Sequence, residues 1–194
     1  LVTAGVEPEP TFHLRRPVET PTGPATVKAT VVRAKPGSMA EGRVQILTHG
    51  TPELIFVPGL SSHANGIDAL TGLLVVVADP AEAFQRYRRF TARDGPVAGG
   101  LYQLALDRGW LTYTDPDTAG RLLPGFRAPD LPYSAAVMLR SSDLGATRRT
   151  LLARGIRPVL DRPEAIMIGP EDALGGFIVV HGLETMDVWS ILSR

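Results

Sequence analysis

The sequence predicts an α+β protein built from repeated βαβββ modules, and three observations carry that prediction. Strand candidates outnumber helix candidates along the chain. The run Leu73 to Val77 is continuously apolar and of strand length, as a strand at the centre of a sheet must be. Most telling is an internal repeat: Leu1-Val-Thr-Ala-Gly5-Val-Glu-Pro8 matches Leu151-Leu-Ala-Arg-Gly155-Ile-Arg-Pro158, with Leu, Gly and Pro identical and Val6 facing Ile156. Each copy reads as a helix end, a glycine cap and the approach to a strand.

The same order, strand then Asp then short helix, occurs at Val75-Val-Val-Ala-Asp79 and again at Met138-Leu-Arg-Ser-Ser-Asp143. Three copies of one unit are therefore expected. Residues 1–66 hold the remainder of an N-terminal module, residues 67–133 a degenerate second module, and residues 134–194 a third with a C-terminal tail. A single copy cannot bury its sheet face alone. The chain opens on what reads as a helix end, so it is expected to be a fragment or to lack its first residues.

The elements follow in order. Thr26 to Arg33, Arg43 to Leu47 and Glu53 to Val57 are strand candidates, and Pro21, Gly23 and Pro24 mark an irregular loop before them. Asp79-Pro80 supplies an N-cap and first-turn proline, after which Ala83, Phe84, Tyr87 and Phe90 recur at helical spacing. Arg86, Arg88 and Arg89 between them are expected on the solvated face. Asp94-Gly95-Pro96 ends that helix. Leu101 to Ala105 and Trp110 to Thr114 are strands, and Asp115-Pro116-Asp117 starts a short helix holding Leu122 and Leu123. Ala135 to Leu139 is a strand, followed by a helix from Ser142 or Asp143 to Arg154 with Leu144, Thr147, Leu151 and Leu152 facing inward. Ala165 to Ile168 and Phe177 to Val180 close the set. A tail helix from Leu183 to Leu192 would align Met186, Trp189 and Leu192.

Composition narrows the function classes. The 194 residues carry 20 Lys+Arg against 20 Asp+Glu and are 44% hydrophobic, a balance that suits a folded globular protein. No basic block points to nucleic acid or an anionic membrane, and the apolar runs fall far short of the ~20 residues of a membrane span. The chain has no cysteine, which removes disulfides, thiolate metal sites and a thiol nucleophile. No leader pattern is read, so a cytoplasmic protein is expected. High Ala, Gly, Pro and Arg beside only two lysines, Lys28 and Lys35, hints at a GC-rich bacterial genome. A Gly-x-Ser-x-Gly elbow, a phosphate-loop Gly-Lys-Ser/Thr and His-Glu-x-x-His are all missing from the sequence.

Three stretches resemble the glyoxalase-like branch of the vicinal-oxygen-chelate superfamily. They are Thr48-His-Gly-Thr-Pro-Glu-Leu-Ile-Phe56 with Ser62-His-Ala-Asn-Gly66, then Leu73-Leu-Val-Val-Val-Ala-Asp-Pro80, and finally Pro170-Glu-Asp-Ala-Leu-Gly-Gly-Phe-Ile-Val-Val180. The resemblance spans roughly Leu1 to His181. It implies paired modules whose mostly antiparallel sheet curves around a cleft, with the helices outside. In catalytic members the cleft holds a divalent metal that chelates two neighbouring substrate oxygens and stabilises an enediolate or activates bound oxygen. Ligands there sit near the start of a module's first strand and on its last strand.

At those positions this chain departs from the pattern. Thr71-Gly72 and Ala135-Ala136 stand at the starts of the opening strands, and Val179 replaces the carboxylate of the closing strand. Glycine and hydrocarbon side chains do not ligate metal, so no metal or other cofactor is expected unless the segment before Leu1 supplies ligands for Zn, Ni, Mn or Fe. His181, two residues after Val179 and on the same strand face, is the one displaced candidate.

The candidate ligand-binding residues are Arg16, His49, Glu53, His63 and Asn65. His49 sits at a strand end, either at the cleft rim or as a hydrogen-bonded turn histidine; Glu53 approaches it if the chain reverses at Gly50-Thr51-Pro52, or faces solvent. His63 and Asn65 lie in a turn-forming loop that serves a ligand or simply latches the backbone. His13 is expected with Arg15 on the wetter face of its strand. Arg16, within Arg16-Pro17-Val18, offers a planar fork for an anionic or carbonyl ligand, or pairs with Glu19. The expected function is a small-molecule-binding protein with a degenerate metal site. The alternatives are a metal-dependent lyase, isomerase or dioxygenase, and a structural homodimer module. A homodimer is expected under each.

Overall fold

The computed structural model describes residues 5–57, 63–184 and 188–192. The chain forms two compact units, residues 1–61 and 62–194.

The first unit is an antiparallel meander of β1 (Phe12–Thr20), β2 (Gly23–Arg33) and β3 (Gln45–His49), with β2 in the middle. Val27, Ala29 and Val31 alternate along β2 and are buried, as are Val6, Ala34 and Met39. Two sequence expectations change here. Pro21 to Pro24 is a tight hairpin and not an irregular loop: Gly23 takes φ +113°, and the Thr20 hydroxyl donates to the Gly23 carbonyl at 2.7 Å. Glu53 to Val57 is not a strand, because Pro52 starts a 3-10 turn over Pro52–Leu54 in which the Ile55 and Phe56 N–H groups donate to the Pro52 carbonyl. Gly5 has φ +72° and Gly155 φ +77°, so both repeat glycines take the left-handed conformation of a helix C-cap; residues 1–4 lie outside the described residues.

The second unit places β4 (Ile67–Val76), α1 (Pro80–Thr91), β5 (Val97–Ala98), β6 (Leu101–Leu106) and β7 (Gly109–Thr114) in sequence. After α2 (Pro116–Leu122) the order recurs as β8 (Tyr133–Ser141), α3 (Leu144–Ala153), β9 (Leu160–Asp161), β10 (Ala165–Ile168) and β11 (Phe177–His181), followed by α4 (Val188–Leu192). The strands form one curved sheet, β5-β6-β7-β4-β8-β11-β10-β9. Outward from the central antiparallel pair β4·β8, each half repeats the same strand order. Among the described residues only β4·β7 and β8·β11 are parallel. The fold is thus α+β with repeated βαβββ modules. Leu74, Val75 and Val76 are buried at the sheet centre, as their apolar run requires.

Asp79, Asp115 and Asp143 cap α1, α2 and α3, each accepting the backbone N–H three residues on. Helix α1 covers one sheet face: Phe84 meets Tyr102 at 5.9 Å between ring centroids, and Tyr87 meets Tyr113 at 5.2 Å. Arg86 and Arg88 are half-buried with their guanidiniums over Tyr87 and Phe84, so only part of the arginine run is solvated as expected. Helix α3 buries Thr147 but leaves Leu152 61% exposed, contrary to its expected inward place. In the tail, Trp189 and Leu192 are buried on α4, whereas Met186 lies outside the described residues. Among the described residues no helix is long and apolar enough to cross a membrane.

Candidate functional site

The site is the sheet face turned away from α1 and α3. Residues opposite one another in register share a face, and this face has a central row of Trp110, Gly72, Met138, Val179 and Met167. Beside it runs a second row of Thr112, Leu74, Ala136 and Phe177. On the other side stand Arg140, His181 and Ala165. The positions expected to lack metal ligands, Gly72, Ala136 and Val179, all lie on this face.

Gly72 is small because of its neighbour. A Cβ there would come within 2.5 Å of Met138 Cε and 3.2 Å of the Trp110 carbonyl oxygen, so Met138 fills the space a side chain would take. Over the second row, Ala119, Leu122 and Leu123 at the end of α2, and Val188, Trp189 and Leu192 of α4, join the sheet residues in one hydrophobic core. The Trp189 indole N–H donates to the Thr112 hydroxyl at 3.4 Å. Arg162, just after β9, donates to the Ile191 carbonyl and ties α4 to the sheet. This half of the face is closed.

The other half carries the polar groups. His181, 5% exposed, has Nε2 2.7 Å from Thr71 Oγ1 and Nδ1 2.9 Å from the Gly182 carbonyl oxygen. A carbonyl only accepts, so Nδ1 carries the proton, and in the neutral ring Nε2 accepts from the Thr71 hydroxyl. The Met138 carbonyl, 3.2 Å from the same hydroxyl, then competes for its single proton. Burial pushes the imidazole below its ordinary value of 6.5; nearby Arg140 acts in the same direction, while the Gly182 carbonyl and Asp68 oppose it. Arg140 Nε donates to Asp68 Oδ1 at 2.8 Å, with the two side chains 40% and 32% exposed. At the rim Trp110 is 38% exposed.

These donors do not fit a chelated divalent ion. A zinc ion takes three or four protein ligands, whereas among the described residues the face offers one imidazole already held at both nitrogens and one carboxylate held by Arg140. Among the described residues no group of three or more His, Asp or Glu side chains could hold a metal.

The residues singled out from sequence are distributed differently. Arg16 is exposed on β1, and Glu53 is exposed on the 3-10 turn. His49 ends β3 with its ring in a T-shaped contact with Phe56, the centroids 5.3 Å apart, and its Nδ1 is buried without a hydrogen-bond partner. His13 is exposed, its Nδ1 3.3 Å from the Thr30 hydroxyl. His63 is exposed, and its carbonyl accepts the Gly66 N–H. Asn65 Oδ1 accepts the Ile67 N–H at 3.2 Å, while the Asn65 carbonyl accepts the Thr147 hydroxyl at 2.6 Å. The structure thus gives Asn65 a latching contact to α3. Arg16, His49 and Glu53 belong to the first unit, and His63 and Asn65 to the second. Sequence reasoning missed the Thr71–His181 contact, because Thr71 registered only as a missing ligand.

No family model matches the chain, and no curated protein matches it. Among solved structures, a hypothetical protein from Staphylococcus aureus aligns with a TM-score of 0.56 at 8% identity, over 92% of this chain and 58% of that one. The chain therefore spans less than two thirds of that protein's length. A methylmalonyl-CoA epimerase from Mycobacterium tuberculosis aligns with a TM-score of 0.46 at 21% identity, over 62% of this chain and 95% of its own. One from Streptomyces coelicolor gives 0.49 at 14% identity, over 61% and 96%. At such identities the likeness concerns the fold alone.

Proposed function

We propose that the chain is a small-molecule-binding protein of the glyoxalase-like branch of the vicinal-oxygen-chelate superfamily, with a degenerate metal site. One observation carries this reading: Thr71 and His181 satisfy each other at 2.7 Å where a ligand set would be needed, beside a Gly72 covered by Met138. The ligand occupies the rim of the face, where Trp110 is 38% and the Arg140 side chain 40% exposed, beside the buried His181 and Met138. There the Trp110 indole provides a flat apolar wall, and the Arg140 guanidinium, fixed by Asp68, presents an edge to a carboxylate or carbonyl group.

The test pairs metal analysis of the purified full chain with a thermal-shift screen of small carboxylates. Metal well below one equivalent and a hit abolished by Trp110→Ala or Arg140→Ala support the proposal. Stoichiometric Zn, Ni, Mn or Fe that is lost on His181→Ala overturns it in favour of the metal-dependent enzyme. A structural homodimer is the second reading, favoured by the filling of the face by Val188, Trp189 and Leu192. A dimer at all concentrations in sedimentation equilibrium, with no hit in the screen, would establish that reading instead.

A further inference from the structure

The two modules of the second unit are copies whose helices differ, and the difference leaves a hole. Counting from the capping Asp79 and Asp143, Ala83 of α1 corresponds to Thr147 of α3, Phe84 to Arg148 and Tyr87 to Leu151. Helix α1 sets two aromatic rings against its strands, Phe84 on Tyr102 and Tyr87 on Tyr113. Helix α3 has no ring at either place. Its Arg148 is drawn aside to Asp161 at 2.7 Å and to the Arg162 carbonyl, leaving Leu151 to cover the sheet. Beneath it lies a pocket of about 140 Å³, partly open to solvent and floored by Leu139, Ile168, Ile178 and Val180. This is the sheet face opposite the candidate site.

The hydroxyl and carbonyl groups at its edge are already committed, and the Asn65 amide is the one polar side chain besides them in the lining. The Thr147 hydroxyl donates to the Asn65 carbonyl, the Thr150 hydroxyl to the Ala146 carbonyl at 2.8 Å, and Asn65 Oδ1 holds the Ile67 N–H. The rest of what faces the space is methyl and methylene. A water molecule held there would find few of the two to four polar partners it needs, whereas an enclosed aliphatic cavity of about 150 Å³ takes up benzene. We infer that the space under α3 is a binding site for a benzene-sized apolar group, occupying the volume that aromatic rings fill in the first module.

Benzene itself is the probe, applied to the full chain. At about ten times its dissociation constant it should raise the melting temperature of the natural protein by about 3–6 °C. The rise should vanish in Leu151→Phe, which returns a ring to the helix, and in Thr150→Leu, which fills the space from a neighbouring position. The second variant decides the matter if the first fails to fold. No rise in the natural protein, or an equal rise in a folded filled variant, overturns the inference.

Discussion

Thr71 and His181 stand 110 positions apart in sequence and meet at 2.7 Å, the hydroxyl of β4 donating to the imidazole of β11 across the intervening strand β8. The contact joins the opening strand of one module to the closing strand of the other. Thr71→Val keeps the shape but leaves a buried Nε2 without its donor, which should cost about 1–3 kcal/mol in urea unfolding.

The same contact fixes a pH dependence. The folded imidazole titrates below its ordinary value of 6.5, so the unfolded chain binds the proton first. The stability this contributes is complete above the unfolded value and is lost as pH falls through the folded one. Protonation also turns Nε2 into a donor and makes the Thr71 hydroxyl accept from it and donate its own hydrogen bond to the Met138 carbonyl. Unfolding free energies measured between pH 7.5 and 5 should fall less steeply for His181→Gln than for the natural protein.

Gly72→Ala should destabilise by about 1–3 kcal/mol through overpacking against Met138. Met138→Ala should cost its own cavity, yet the double variant should be less destabilised than the sum. A double-mutant cycle by urea denaturation reads the coupling directly.

Trp189→Ala should cost about 3–5 kcal/mol, since its indole is 3% exposed within the core of the candidate face. Besides the lower urea midpoint, the variant should bind a hydrophobic dye that the natural chain excludes.

Asp115 titrates below its ordinary 3.8: burial pushes it up, but hydrogen bonds from the Thr118 N–H and hydroxyl outweigh that. Its stabilising effect is present above the unfolded value and lost as pH falls through the folded one. Asp115→Ala should cost about 1 kcal/mol at pH 7, with the difference shrinking in acid. Chemical denaturation at pH 7 and pH 3 checks both parts.

Much of the fold was legible because its signals are local. Asp79, Asp115 and Asp143 are capping residues whatever surrounds them, and the Leu73 to Val77 run can satisfy its apolar surface only inside a sheet. Glu53 to Val57 misled because its apolar residues match a strand, while Pro52, one residue earlier, starts a turn. The candidate site was less legible. Its parts converge through tertiary register: Thr71 gains meaning only beside His181, and Gly72 only under Met138. His181 did carry a signal, its two-residue spacing from Val179. Nothing local in Trp189 announces that α4 lies on the face that its module's strands present.

The eight-stranded sheet ends on each side in a strand of two residues, β5 at Val97–Ala98 and β9 at Leu160–Asp161. Stubs of this length give a neighbouring molecule almost no ladder to extend. Self-association through this unit would therefore have to proceed by matching side-chain surfaces, and a single surface charge reversal could abolish it without touching the backbone.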